Sequence, residues 1–254
     1  MALATKVLWI VIMNSEATEK SFAKHALAIG ATAVCIRTSS TRLPDAIKRF
    51  HDIGMKVLAW RWPKASKTAA LNEAKNVAEN LIPGGLDGYI VDPESDAAGA
   101  PNDWNRTALA PLAAEFCKTI KDAAPAGFVF GTTSGCAYPA ANMKPNIPWK
   151  EFFTASNILL PQTYWRWTNP TTGQKGQKIN GGTPAKAIEK ATPSWTAKGM
   201  GKPIIPMAGE VDVVRPDELA AYGVELNKLG VTEGHFYTDN GQIPVPNLAA
   251  MQAL

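Results

Sequence analysis

The feature that most constrains the fold is a rhythm. Eight short apolar runs recur at 7–13, 32–37, 56–60, 88–92, 127–132, 157–162, 203–207 and 234–238. Each is apolar on consecutive positions, as expected of strands buried on both faces of a parallel sheet. Helical patterns fill the intervals at 16–29, 44–53, 66–81, 103–123, 184–197 and 216–229, with shorter ones near 149–154 and 246–253. Gly30, Gly54, Gly84, Gly199 and Gly230 stand just past helical patterns, where a left-handed residue is wanted. Thr18, Ser66 and Asp103 suit N-caps, and Pro44 and Pro216 suit first turns. Eight strand–helix units in 254 residues predict an α/β fold, a single (βα)8 TIM barrel spanning 1–254. The alternative is an open doubly wound sheet. That fold usually carries a glycine-rich phosphate turn after its first strand, where this chain has Asn14-Ser15-Glu16-Ala17.

Joints from helix to strand are short, but three joints from strand to helix are long: "ESDAAGAPN" after strand four, "TSGCAYPAANMKPNIP" after strand five and "RWTNPTTGQKGQKINGG" after strand six. Long loops in compact domains are usually functional, and in a barrel these lie at the C-terminal face. The strand ends offer Asn14, Arg37, Arg61, Trp62, Asp92, Glu94, Gln162, Tyr164, Trp165, Trp167, Glu210, Tyr237 and Asp239. This is a rim of carboxylates, amides and aromatic rings. The three histidines, His25, His51 and His235, are not at ligand spacing and supply no base for a serine triad, so no metal and no cofactor are expected.

Composition removes other classes. The net charge is +4, but the basic residues are scattered, which argues against a nucleic-acid partner. Cys35, Cys117 and Cys136 are too few and too spread for a disulfide framework or a CxxC site. The run at 7–13 reads as a buried strand, with no signal peptide or membrane span recognised, so a soluble protein is expected. Carboxylates beside tryptophans point to glycoside chemistry, because indole faces stack on sugar rings and acids cleave the glycosidic bond.

In "GLDGYIVDPES" Asp92 and Glu94 alternate to one side, with Ile90 and Gly88 below them. Two such close carboxylates resist double ionisation, making a protonated Glu94 the general acid and a deeper Asp92 the ionised partner. The bland alternative is a structural network with Arg37 or Arg61. Gln162 and Tyr164 could equally pack the barrel top. Trp165 and Trp167 lead into a long polar loop and are candidates for sugar stacking, and Glu210 and Asp239 for a second acid.

"DGYIVDPE" resembles the strand-four signature of family 18 chitinases, D-G-x-D-x-D-x-E, with Asp87, Gly88, Asp92 and Glu94 in register and Ile90 in place of the middle aspartate. "PQTYW" resembles the strand-six motif of that family at Tyr164. Family 25 lysozymes are a looser resemblance, through the D-x-E and an aspartate near strand eight matching Asp239; they usually carry an aspartate where this chain has Asn14. The family 18 resemblance implies hydrolysis of β-1,4 linkages in chitin or peptidoglycan. On that resemblance the substrate's N-acetyl carbonyl would attack the anomeric carbon, with Glu94 as the acid, Asp92 orienting the acetamido group and Tyr164 bonding its oxygen. Substrate binding falls to Gln162, Trp165, Trp167, Arg61, Trp62, Glu210, Tyr237, Asp239 and Asn14, with a polysaccharide or oligosaccharide as partner. The alternatives are a non-catalytic carbohydrate-binding barrel, motivated by Ile90, and a structural or interaction protein reusing the fold.

Overall fold

The computed structural model describes residues 2–95 and 97–254. Eight parallel strands close into a barrel in the order β1-β10-β9-β6-β5-β4-β3-β2. They are β1 (Thr5–Ile10), β2 (Ala33–Arg37), β3 (Lys56–Arg61), β4 (Gly88–Val91), β5 (Val129–Gly135), β6 (Ile158–Gln162), β9 (Met207–Ala208) and β10 (Glu233–Asp239). The helices are α1 (Glu16–Ala28), α2 (Leu43–Asp52), α3 (Lys67–Asn76), α4 (Ala110–Ala123), α5 (Trp149–Ala155), α6 (Pro184–Lys198), α7 (Pro216–Lys228) and α8 (Val245–Ala253). A short antiparallel ribbon, β7 (Arg166–Trp167) with β8 (Gln177–Lys178), folds the long loop after β6. The expected (βα)8 barrel is therefore the fold, and no helix among the described residues is long and apolar enough to cross a membrane.

Several boundaries differ from the sequence expectation, each for a local reason. The N-cap of α1 is Ser15, which accepts from the Thr18 amide while the Thr18 hydroxyl bonds back to the Ser15 amide; Thr18 is the far half of a capping box. The last turn of the 66–81 pattern is a π-helical turn, Val77–Leu81. α4 begins at Ala110 behind a 3-10 turn, Thr107–Leu109, so Asp103 caps nothing. The expected strand at 203–207 shrinks to Met207–Ala208 plus one bridge, Leu159 with Ile204; Pro203 and Pro206 have no amide hydrogens for a ladder. The left-handed turns expected at Gly84 and Gly199 fall instead at Gly85 and at Met200 and Gly201.

The chain divides into two compact units, residues 1–57, 162–191 and 205–254 in the first and 58–161 and 192–204 in the second. In the second unit Tyr89 faces the helices, packing on Phe116 of α4 at 6.1 Å between ring centroids and donating to Glu73 of α3 at 3.2 Å. Its neighbours Gly88 and Ile90 therefore face inward. Beside Ile90, Gly131 of β5 leaves room for it: a Cβ there would lie 2.6 Å from Ile90 Cδ1 and 3.0 Å from Ile158 Cγ1. Burying Ile90 and Ile158 against a bare backbone removes apolar surface from water at roughly 25 cal/mol per Å².

In the first unit Phe236 takes the outward side, edge-on to Tyr222 of α7. Trp9, His235 and Tyr237 share the opposite side, the Trp9 indole donating to His235 Nδ1 at 3.0 Å and its ring meeting Tyr237 at 6.4 Å. That bond makes Nδ1 the acceptor, so the proton sits on Nε2, 2.6 Å from Glu233 Oε1. His235 is thus a core residue held in one tautomer.

Candidate active site

The second unit carries the two acids. Beyond β4 the ladder continues for one more bond, from the Asp92 amide to the Arg61 carbonyl at 2.8 Å, so Asp92 keeps the inward side of Gly88 and Ile90. Asp92 is buried, at 4% exposure, whereas Glu94 is half-buried. A deep acid beneath a shallower one is the order expected from the sequence. The backbone around them is tied residue by residue. Ser134 donates to the Pro93 carbonyl at 2.7 Å, the Trp104 amide to the Glu94 carbonyl at 2.9 Å, and the Ser95 hydroxyl to Asp103 Oδ1 at 2.7 Å.

On β3 the register pairs Trp60 with Ile90 and Arg61 with Val91. Trp60 is accordingly inward and buried, 5.4 Å from the half-buried Trp62 ring. Arg61 leaves the strand on the Tyr89 side, and its guanidinium lies over the Trp62 ring at 5.4 Å. Its strand parity is that of the helix-facing residues, yet its long side chain reaches Trp62. Tyr138, in the loop after β5, is not marked by any sequence motif. Its half-buried ring lies flat over Gly135, where a Cβ would come within 2.5 Å. A tyrosine three residues after a strand-end glycine was the available signal.

The first unit carries the aromatic candidates. Tyr164 stacks on Tyr237, with ring centroids 5.3 Å apart and planes 10° from parallel. The Tyr164 ring occupies the space a side chain at Gly209 would need. Asn180 donates to its carbonyl at 2.9 Å. Gln162 pairs with Met207 in the β6–β9 register and is half-buried.

Two expectations in this unit are corrected. Trp165, one residue beyond Tyr164, takes the opposite side and is fully buried against Tyr222, its indole donating to Glu218 Oε2 at 3.1 Å; it is core and stacks on no sugar. Asp239 is also fully buried, accepting from the Gly241 amide at 2.7 Å and lying 2.7 Å from His25 Nδ1. Its register explains this: β1 pairs Leu8 with Phe236 but Ile10 with Asp239, a slip that adds one residue to β10. The slip turns Asp239 to the outer side of Phe236. Burial pushes its carboxyl above the usual range against the Gly241 amide and His25.

Glu210 and Trp167 sit at the ribbon. Glu210 has a left-handed backbone, φ +40°, a conformation that costs a non-glycine residue free energy and that clusters at functional sites. Its Oε2 accepts from the Thr168 amide at 2.5 Å. Burial raises its carboxyl above the usual range, with Asp212 adding to this and Thr168 and Lys175 opposing it. The Trp167 indole nitrogen is buried without a hydrogen-bond partner among the described residues. The ribbon is anchored on its other side by Arg166, which donates to both oxygens of Glu218 at 2.7 to 2.9 Å and to the Gly176 carbonyl at 2.8 Å. Asn14 is exposed, accepting from Thr41 through amide and hydroxyl at 3.2 and 3.3 Å. Among the described residues no group of three or more His, Cys, Asp or Glu side chains is placed to hold a metal ion.

No family profile matches the sequence, and no curated protein matches it. Solved structures do match. The chitinase from Chromobacterium violaceum ATCC 12472 has a TM-score of 0.67 at 11% identity, covering 98% of each chain. The Bacillus cereus spore cortex-lytic enzyme SleL also reaches 0.67, at 10% identity over 98% of this chain and 74% of its own. The family 18 chitinase from Cycas revoluta with (GlcNAc)4 bound gives 0.67 at 9% identity, over 98% and 99%. At these identities the likeness is one of fold: this chain is built as the barrels of family 18 chitinases are built.

Proposed function

We propose that the chain is a glycoside hydrolase that cleaves β-1,4 linkages in an N-acetylhexosamine polymer, chitin or peptidoglycan. The observation that carries this reading is the end of β4, where Asp92 continues the inward face of Gly88 and Ile90 and Glu94 follows it, half-exposed. The shared barrel plan supports the same reading, and the oligosaccharide held by the Cycas revoluta enzyme supports the substrate class.

In the proposed reaction Glu94 gives its proton to the glycosidic oxygen as that bond to the anomeric carbon breaks. The substrate's acetamido oxygen forms the new bond to the anomeric carbon, with Asp92 accepting the acetamido N–H. Water, deprotonated by Glu94, then opens the resulting ring and restores the acid. Tyr164 is proposed to donate to the acetamido oxygen, and Asn14, Arg61, Trp62, Gln162, Trp167, Glu210 and Tyr237 to contact sugar. The test is release of reducing ends from chitin oligomers and from peptidoglycan by the wild-type chain and by Glu94→Gln. A wild type that releases none, or a variant that matches it, sinks the hydrolase reading.

One observation favours a second reading. Ile90 stands where the family signature has its middle aspartate, and it is packed against Gly131 and Ile158. Asp92 therefore has an apolar neighbour below it on its own strand, and a barrel that binds chitin oligomers without turnover accommodates this. Calorimetry with (GlcNAc)4 and no product on prolonged incubation is the outcome that selects it.

A further inference from the structure

Asp103 is placed by its sequence neighbours as a helix N-cap, yet α4 begins seven residues later. The carboxylate is almost wholly buried, at 3% exposure, and it accepts three hydrogen bonds. Ser95 Oγ donates to Oδ1 at 2.7 Å, the Asn105 amide to Oδ1 at 3.1 Å and the Gly99 amide to Oδ2 at 2.8 Å. All three donors lie on the one loop that carries Glu94. Burying a carboxylate is costly unless it is fully bonded, and a neutral side chain closes an ordinary loop more cheaply.

The wiring leads to Glu94 from both sides. Ser95 is the next residue after the acid. Trp104, the next residue after Asp103, donates its amide to the Glu94 carbonyl at 2.9 Å. The Trp104 indole donates to the Pro63 carbonyl at 2.8 Å, and its ring packs edge-on against Phe152. Arg106 donates to the carbonyls of Asp103 and Ala65, both at 2.9 Å. Lys144, from the loop after β5, reaches Ser95 Oγ at 3.3 Å, and the Asn146 amide donates to Asn105 Oδ1 at 2.9 Å. The loops after β3 and β5 are thus bonded to the residues that follow Asp103 and to its partner Ser95.

We propose that Asp103 is a positioning residue for the Glu94 carboxyl, holding the backbone on either side of the acid through Ser95 and Trp104. This rests on the reading of Glu94 as the proton donor. The charged groups around Asp103 are Arg106, whose Nε is 3.9 Å from Oδ2, and Lys144, which acts through Ser95.

The experiment compares wild type, Ser95→Ala and Asp103→Asn on a chitin oligomer, with kcat, KM, the pH–rate profile and the thermal midpoint measured together. Ser95→Ala removes only one hydroxyl and is the variant that keeps the fold. It is expected to lower kcat about tenfold, and Asp103→Asn about a hundredfold, both with KM within about twofold, because displacement of a reacting group costs rate and not binding. The limb of the pH–rate profile that reports Glu94 is expected to move in both. Wild-type kcat in both variants, or a loss carried by KM alone, overturns the proposal. If the wild type does not cleave the oligomer, whether or not it binds it, the hydrolase reading has failed, and positioning is read from amide exchange. Exchange at Gly99 and Trp104 must then quicken in Ser95→Ala, and unchanged protection overturns it.

Discussion

The segment that carries Asp92 and Glu94 and the segment that carries Tyr164 and Tyr237 are held in different ways. In the second unit each residue from Asp92 to Ser95 has a directional bond of 2.7 to 2.9 Å to a different partner. In the first unit the carbonyls of Tyr164 and Tyr237 also accept bonds of 2.9 Å, from Asn180 and the Val211 amide, but the rings themselves lie on each other's faces and, for Tyr164, against the bare backbone at Gly209. Hydrogen bonds fix atoms to fractions of an ångström, whereas stacked rings slide at small cost. A group that must deliver a proton needs the first kind of support, and a surface that must follow a sugar ring is served by the second.

This contrast is most sharply tested at the acid itself. Glu94→Gln is expected to lower kcat by about two to four orders of magnitude, the span of a lost general acid, whereas Tyr237→Phe, which keeps the ring stack, should leave kcat within a few-fold. Chitin-oligomer kinetics on both variants reads it, and equal losses would erase the distinction.

The next effect concerns stability. Glu218 is bonded by Arg166, Trp165 and the Arg215 amide. Glu218→Gln leaves a largely buried guanidinium without its carboxylate and is expected to cost about 3 kcal/mol. A urea melt checks it, and tryptophan fluorescence should report release of the Trp165 indole.

Acidity separates the regions further. Burial works to raise the Asp103 carboxyl, but the Gly99 and Asn105 amides, the Ser95 hydroxyl and Arg106 outweigh it and hold it below the usual range. Its contribution is therefore present above the ordinary carboxylate pKa and is lost as pH falls through the lowered one. The Glu210 carboxyl is raised by burial, so its contribution has the opposite sign: stability declines as pH rises from the ordinary carboxylate value through the raised one. Thermal midpoints of Asp103→Asn and Glu210→Gln, each relative to wild type, are expected to diverge between pH 3 and 7 by roughly 2–4 °C for each kcal/mol involved. The Asp103→Asn deficit shrinks on acidification, and Glu210→Gln gains on wild type as pH rises. Parallel lines would remove the contrast. The smallest effect is at Asn14→Ala, an exposed position expected to change stability by no more than about 0.5 kcal/mol.

The barrel and the end of β4 were legible because both follow from local periodicity. Consecutive apolar positions mark buried strands, and strict alternation carries Gly88, Ile90 and Asp92 to one side. Alternation alone failed at Asp239, because the extra residue in β10 is visible only against the pairing with β1. Trp165 departs from expectation for a related reason. It belongs to an aromatic run whose members have opposite parity, and proximity to a polar loop outweighed the count from Tyr164. Asp103 resembled a cap because a helical pattern follows it. The signal against that was Pro111, which suits the first turn of a helix beginning near Ala110. What no sequence pattern disclosed is the convergence of three donors of one loop on a single carboxylate, since they come from residues spread over 95–105.

The fit between Ile90 and Gly131 also bears on how such a barrel changes over time. An aspartate introduced at 90 alone would leave a void beside Gly131 and an extra charge in the inner layer, while a side chain added at 131 alone would strike Ile90 Cδ1 at 2.6 Å. Either single step is unfavourable, and only the two together refill the space. The isoleucine is therefore half of a lock: from this packing an acidic residue at 90 is reached only by way of a less stable intermediate, in whichever order the two changes come.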